Sequence, residues 1–141
     1  MRMDKKQIMD VLPHREPFLF LDEIAEIEPE RRAVGHWLTT GREAFYKGHF
    51  PGNPVLPGAL IVEAMAQTGA VVVLSIPRFK GMTGYFAGMD RVRFRKKVYP
   101  GDLLVLEVGI ERVFNNIGYG EGTAYVEGEV VATGKLTFAV G

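Results

Sequence analysis

Between Ala59 and Ile76 the chain runs for 18 residues, ALIVEAMAQTGAVVVLSI, with a single charged side chain, Glu63. No other segment restricts the fold as much. It is at the short end of what spans a bilayer, lacks a basic flank and starts abruptly after Pro57-Gly58. A helix apolar on every side can instead be wrapped by the rest of a soluble domain. We read it as a buried central helix from about Gly58 to Ile76, closed by Pro77, with no membrane insertion. A length of 141 residues fits one domain, 1–141, around that helix. The opening MRMDKKQIMDVLPH has no apolar signal stretch, so a cytoplasmic location is expected.

The flanking patterns say what wraps the helix. Residues 4–12 (DKKQIMDVL) predict a short amphipathic helix ended by Pro13. Phe18–Glu28 and Arg32–Thr40 read as strands around a Pro29-Glu30 turn. After Gly81 the pattern is strands throughout: Thr83–Met89, Val92–Val98, Leu103–Phe114, Gly118–Glu127 and Val130–Ala139. Turns fall at Pro100-Gly101-Asp102, Asn115-Asn116 and Glu127-Gly128. The order of strands, one apolar helix and more strands describes an α+β domain, a curled antiparallel sheet around a single helix.

Gly41–Gly58 is a long connection whose prolines at 51, 54 and 57 fix backbone angles and make it stiff. It carries His49, in GHFPGNP. An imidazole can accept a proton near neutrality, and a carboxyl in apolar surroundings favours its protonated form. His49 and Glu63 together suit a reaction that removes a C–H proton and expels a hydroxyl group. The first-turn amides of the helix, starting at Gly58, have no intrahelical partners and can hold a carbonyl oxygen. Gly58 presents no side chain to obstruct a ligand. Gln67 follows Glu63 at i+4 on the same helix face.

Seventeen basic residues balance seventeen acidic ones, which argues against general nucleic-acid binding. The absence of cysteine excludes disulfides, thiolate metal sites and cysteine nucleophiles, and no clustered ligand set for a metal is visible. One local exception to neutrality is RVRFRKK, with Arg91, Arg93, Arg95, Lys96 and Lys97. It reads as a docking surface for an acidic partner or as an edge strand protected by its charge.

LPHREPFLFLD (12–22), GHFPGNPVLPGALIVEAMAQ (48–67) and YFAGMDRVRFRKKVYPGDLL (85–104) resemble, in that order, the β-hydroxyacyl-acyl-carrier-protein dehydratases of bacterial type II fatty acid synthesis (the FabZ family). The resemblance implies a hot-dog fold, a curved antiparallel sheet wrapped around one long helix. It implies His49 and Glu63 as the catalytic pair of a site shared between two subunits, with a dimer as the active unit and often a trimer of dimers. The substrate would be a (3R)-3-hydroxyacyl thioester on the phosphopantetheine arm of acyl carrier protein, and the product a trans-2-enoyl thioester plus water. The Gly58 amide would polarise the thioester carbonyl, His49 would take the C2 proton, Glu63 would protonate the leaving hydroxyl and Gln67 would orient Glu63. No metal or redox cofactor is implied. Carrier docking then moves ahead for the basic run. Phe50, Met65, Tyr85, Phe86, Met89 and Phe94 become candidates for an acyl tunnel. His14 reads as structural and His36 as a surface or interface residue.

The rival functions are a hot-dog acyl thioesterase and a non-catalytic acyl-thioester-binding protein. The related dehydratase/isomerases typically carry aspartate at the helix position, so Glu63 favours dehydration alone. Chain length and any lipid A precursor as substrate stay open.

Overall fold

The computed structural model describes residues 1–141. Its elements in chain order are α1 (Lys5–Val11), β1 (Glu23–Glu28), β2 (Arg32–Leu38), a 3-10 turn (Ala44–Lys47), α2 (Gly58–Val73), a second such turn (Pro77–Phe79), β3 (Gly84–Phe94), β4 (Leu103–Phe114), β5 (Ile117–Val126) and β6 (Glu129–Val140). The six strands make one antiparallel sheet in the order β1-β2-β4-β5-β6-β3. This is the hot-dog arrangement: α2 packs against strands β1 to β6 and supplies twelve buried residues, from Ile61 to Val73. No helix is long and apolar enough to cross a membrane.

Local chemistry sets the ends of these elements. Asp4 accepts the Gln7 amide while the Gln7 side chain takes the Asp4 amide, a capping box that starts α1. The central helix stops at Val73, three residues before the expected Ile76. There the Ser75 hydroxyl donates to the Val72 carbonyl, and Pro77 begins the next turn. Glu127 and Gly128 both have positive φ, as the expected tight hairpin requires.

Two expectations are corrected. Phe18–Leu21 is not strand. The side-chain amide of Gln67 serves its backbone instead, accepting the Phe20 N–H at 2.8 Å and donating to the Phe18 carbonyl at 2.9 Å. The two strands expected over 83–89 and 92–98 are a single strand, β3, and the chain leaves the sheet after Phe94. What looked like a break is a bulge between Asp90 and Arg93, where Arg91 takes a φ of 52° and its amide bonds the Asp90 carboxylate.

The two sheet edges are finished differently. Met3 pairs with Ile24 through reciprocal backbone hydrogen bonds of 2.9 Å and covers part of β1. Within one chain β3 is bonded only to β6, and its Tyr85 and Met89 are 59% and 62% exposed.

Candidate active site

The loop before α2 is fastened at several points. The buried Tyr46 hydroxyl lies 2.6 Å from that of Thr39. Glu43 takes the amides of Thr40 and Gly41 and the Thr40 hydroxyl. Burial opposes the charge on Glu43, but these donors outweigh it and hold the carboxyl below its ordinary range. Phe50 and Asn53 exchange backbone hydrogen bonds, Val55 donates to the His49 carbonyl, and the Leu56 amide reaches Val98 at 2.8 Å. Loop stiffness therefore comes from this ladder as well as from the prolines.

His49 is held within that frame. Its Nδ1 lies 2.8 Å from the Val55 carbonyl. A carbonyl only accepts, so Nδ1 carries the hydrogen, and in the neutral ring Nε2 is the nitrogen with the lone pair. Phe50 stacks on the ring at 4.0 Å between centroids. His49 lines a cleft of about 480 Å³ together with Gly58, Ala59, Ile61, Phe94 and the Arg95–Val98 segment. The amides of Gly58 and Ala59 donate to nothing in the chain, because helical bonding starts at Leu60. The cleft thus joins a proton acceptor, two free N–H donors at the positive end of α2, and three cations. Gly58 makes room for something other than a ligand: a Cβ there would come within 2.8 Å of the Phe94 ring, which seats on the helix start.

Glu63 does not line this cleft. Five residues along an α-helix is a rotation of about 140° from Gly58. Its carboxyl, 18% exposed, faces a separate small pocket with His14, Gln67, Phe86 and Phe138. Gln67 is 1% exposed and donates from Nε2 to Glu63 Oε2 at 2.9 Å. Its oxygen is committed to the Phe20 amide, so the orientation of its amide is fixed by bonds on both ends. His14, expected to be merely structural, turns its Nε2 to within 3.8 Å of Glu63 Oε2. The only signal in the sequence was its position in LPHREP, between two prolines and ahead of the apolar Phe18–Leu21. His36 pairs across strands with Glu23 at 3.2 Å, and Arg2 takes the other carboxylate oxygen. These two partners, Arg2 first, hold Glu23 below the usual carboxylate range.

The sequence matches the family model for a FabA-like domain over residues 12–135. A 3-hydroxyacyl-[acyl-carrier-protein] dehydratase FabZ of Roseiflexus castenholzii is 55% identical, covering 96% of this chain and 94% of that protein. The FabZ of Enterococcus faecalis is 50% identical over 100% of both. The chain belongs to the FabZ family of FabA-like domains. Among solved structures, the dehydratase heterocomplex ApeI:P from Xenorhabdus doucetiae superposes with a TM-score of 0.79, covering 94% of this chain and 89% of that one. At 20% identity it shares the fold.

For this FabZ family member the remaining expected residues separate by place. Phe86 borders the Glu63 pocket and Phe94 the His49 cleft, whereas Tyr85 and Met89 stand exposed along β3. Met65 is corrected: it is 0% exposed and its sulfur sits where a Cβ on Gly122 of β5 would come within 2.9 Å. Two residues beyond Glu63, it points about 200° away, into the sheet, and is core of its own subunit. In the basic run Lys96 is tied to Glu129, and Arg91 lies 4.0 Å from Asp90. Arg93, Arg95 and Lys97 have no acidic partner in the chain.

Proposed function

We propose that this chain dehydrates (3R)-3-hydroxyacyl thioesters carried on acyl carrier protein to trans-2-enoyl thioesters and water, in fatty acid biosynthesis, at a site built from two subunits. The observation that carries the reading is the split between the two clefts. One holds a base with a free Nε2 beside two unpaired helix amides, and the other holds a carboxyl fixed by Gln67, on a different side of the same helix. A second copy facing the first brings the missing half to each. The unbonded edge of β3, with Tyr85, Met89 and Phe94 exposed, supports pairing along that strand.

In the composite site the Gly58 amide receives the thioester carbonyl oxygen and stabilises the enolate that forms. His49 Nε2 removes the C2 proton. The electron pair then forms the C2–C3 double bond as the C3–O bond breaks, and Glu63 of the other subunit supplies the proton that lets the hydroxyl leave as water. Every step is a proton transfer or an elimination carried by these side chains and the helix amide, so the scheme involves no change of oxidation state and assigns no step to a metal. The phosphopantetheine arm enters past Arg95 and Lys97, and with Arg93 these cations steer the acidic carrier. Phe50, Phe86, Tyr85 and Met89 become tunnel wall only where two subunits meet. We place the enzyme in the cytoplasm, as a dimer that assembles further into a trimer of dimers.

The test is incubation with 3-hydroxyacyl carrier protein, followed by mass spectrometry. Loss of one water from the carrier-bound chain is expected. Release of free carrier thiol instead would mean a thioesterase, and an unchanged acyl chain would mean a binding protein.

A further inference from the structure

Gln67 accounts for one hold on Glu63, and a second polar group stands close to the same oxygen. His14 sits in the loop after α1, half-buried, with Nε2 3.8 Å from the same Glu63 oxygen that accepts from Gln67. Its other ring nitrogen, Nδ1, is buried and has no hydrogen-bond partner in the chain. Native folds rarely leave such an atom unserved. The pocket that His14 and Glu63 share with Ala66, Gln67, Phe86 and Phe138 has about 20 Å³ of free space, room for one water. No group of the chain donates to Glu63 Oε1.

We propose that His14 is a positioning residue that selects which oxygen of Glu63 carries the transferable proton. In its neutral form with the hydrogen on Nε2, His14 closes the 3.8 Å gap when the subunits and substrate complete the site, as catalytic hydrogen bonds commonly do. Its Nδ1 then accepts from a water in the small pocket. Oε2 receives two N–H donors, from Gln67 and His14, and becomes the carbonyl end of the acid. The proton resides on Oε1, the oxygen that the chain leaves free for the substrate hydroxyl. After transfer, the same two donors stabilise the carboxylate that remains. Gln67 alone fixes a position for Oε2, and the second donor stops the carboxyl from rotating its proton away from the substrate.

The inference rests on the dehydratase reading, and its test separates the two. His14→Phe keeps a ring of similar shape and loses the donor, while His14→Gln keeps an N–H. Both are assayed in the full-length assembly beside Glu63→Gln. We expect His14→Phe to lower kcat about 10- to 100-fold with KM within about threefold and an unchanged melting temperature. His14→Gln should recover most of the loss. A crystal structure of the wild-type assembly should show one water on His14 Nδ1. Normal kcat in His14→Phe while Glu63→Gln is inactive overturns the role of His14 and leaves the reaction intact. Equal losses in both His14 variants, or a loss that follows melting temperature, also overturn it. An active Glu63→Gln enzyme would instead remove the dehydratase assignment of Glu63 itself.

Discussion

The Val55 carbonyl holds the His49 ring by Nδ1 at 2.8 Å, and this one bond decides the histidine's chemistry. It settles the tautomer of the neutral ring and leaves Nε2 as its lone pair, on a residue that lines the cleft. This geometry is what the proposed role of His49 as base requires. His49→Ala should lower kcat about 10²- to 10⁴-fold with an unchanged circular dichroism spectrum. Turnover near wild type in a folded variant would remove His49 from the mechanism.

The shared site predicts complementation. His49→Ala and Glu63→Gln should each be nearly inactive, but under the proposal a mixed dimer contains one site with both groups intact. Unfolding and refolding the two variants together at equal amounts should restore about a quarter of wild-type activity by random pairing. No recovery, with mixed dimers demonstrated by mass spectrometry, would place both residues in one subunit's site.

Gly69 lies in the middle of α2, where propensity alone would favour alanine by roughly 1 kcal/mol. Packing opposes this. A Cβ there would come within 2.5 Å of the Phe138 ring and 3.1 Å of Val108, both buried. Overpacking of this kind costs about 1–3 kcal/mol, so the clash outweighs the propensity. Gly69→Ala should lower the denaturation midpoint in urea without changing the slope.

Glu43 makes the fastening of the His49 loop sensitive to acid. Its folded carboxyl is held below the ordinary 4.5, so its stabilising contribution is fully present above that value. The contribution is lost as pH falls through the lowered folded value. Partial exposure limits it to about 1 kcal/mol or less. The melting temperature of wild type should exceed that of Glu43→Gln at pH 7, and the gap should close as pH drops below 4.5.

Arg95 and Lys97 have no acidic partner and line the His49 cleft. Arg95→Glu with Lys97→Glu should raise KM for carrier-protein substrates and flatten its dependence on salt, while a small pantetheine thioester is turned over as before. Equal damage to both substrates would mean that the cations serve the cleft itself.

Much of this architecture is legible in the sequence because each signal is local. The apolar run with one carboxyl specifies α2, and Glu127-Gly128 specifies its hairpin. The i+4 spacing already brought Gln67 to Glu63. What escaped depends on distant partners. Phe18–Leu21 resembles a strand, but its hydrogen bonds go to a side chain 47 residues away. The Arg91 bulge looks like a turn because the neighbouring strand that carries β3 through it is invisible in the sequence. Met65 and Phe86 are equally apolar, and only helix rotation and sheet position send one to the core and the other to the Glu63 pocket. His14 approaches Glu63 from 49 positions earlier in the chain.

The bare flank of β3 has a bearing on how such a chain is handled. Eleven residues of backbone there offer half their donors and acceptors to whatever arrives, beside Tyr85, Met89 and Phe94. If the site is shared as proposed, that open edge and the missing half-site are two aspects of the same unpaired copy. Dilution that separates the copies, or a proline introduced on that flank, should then abolish turnover while leaving each copy dissolved, so specific activity becomes a gauge of how completely a preparation has found its mates.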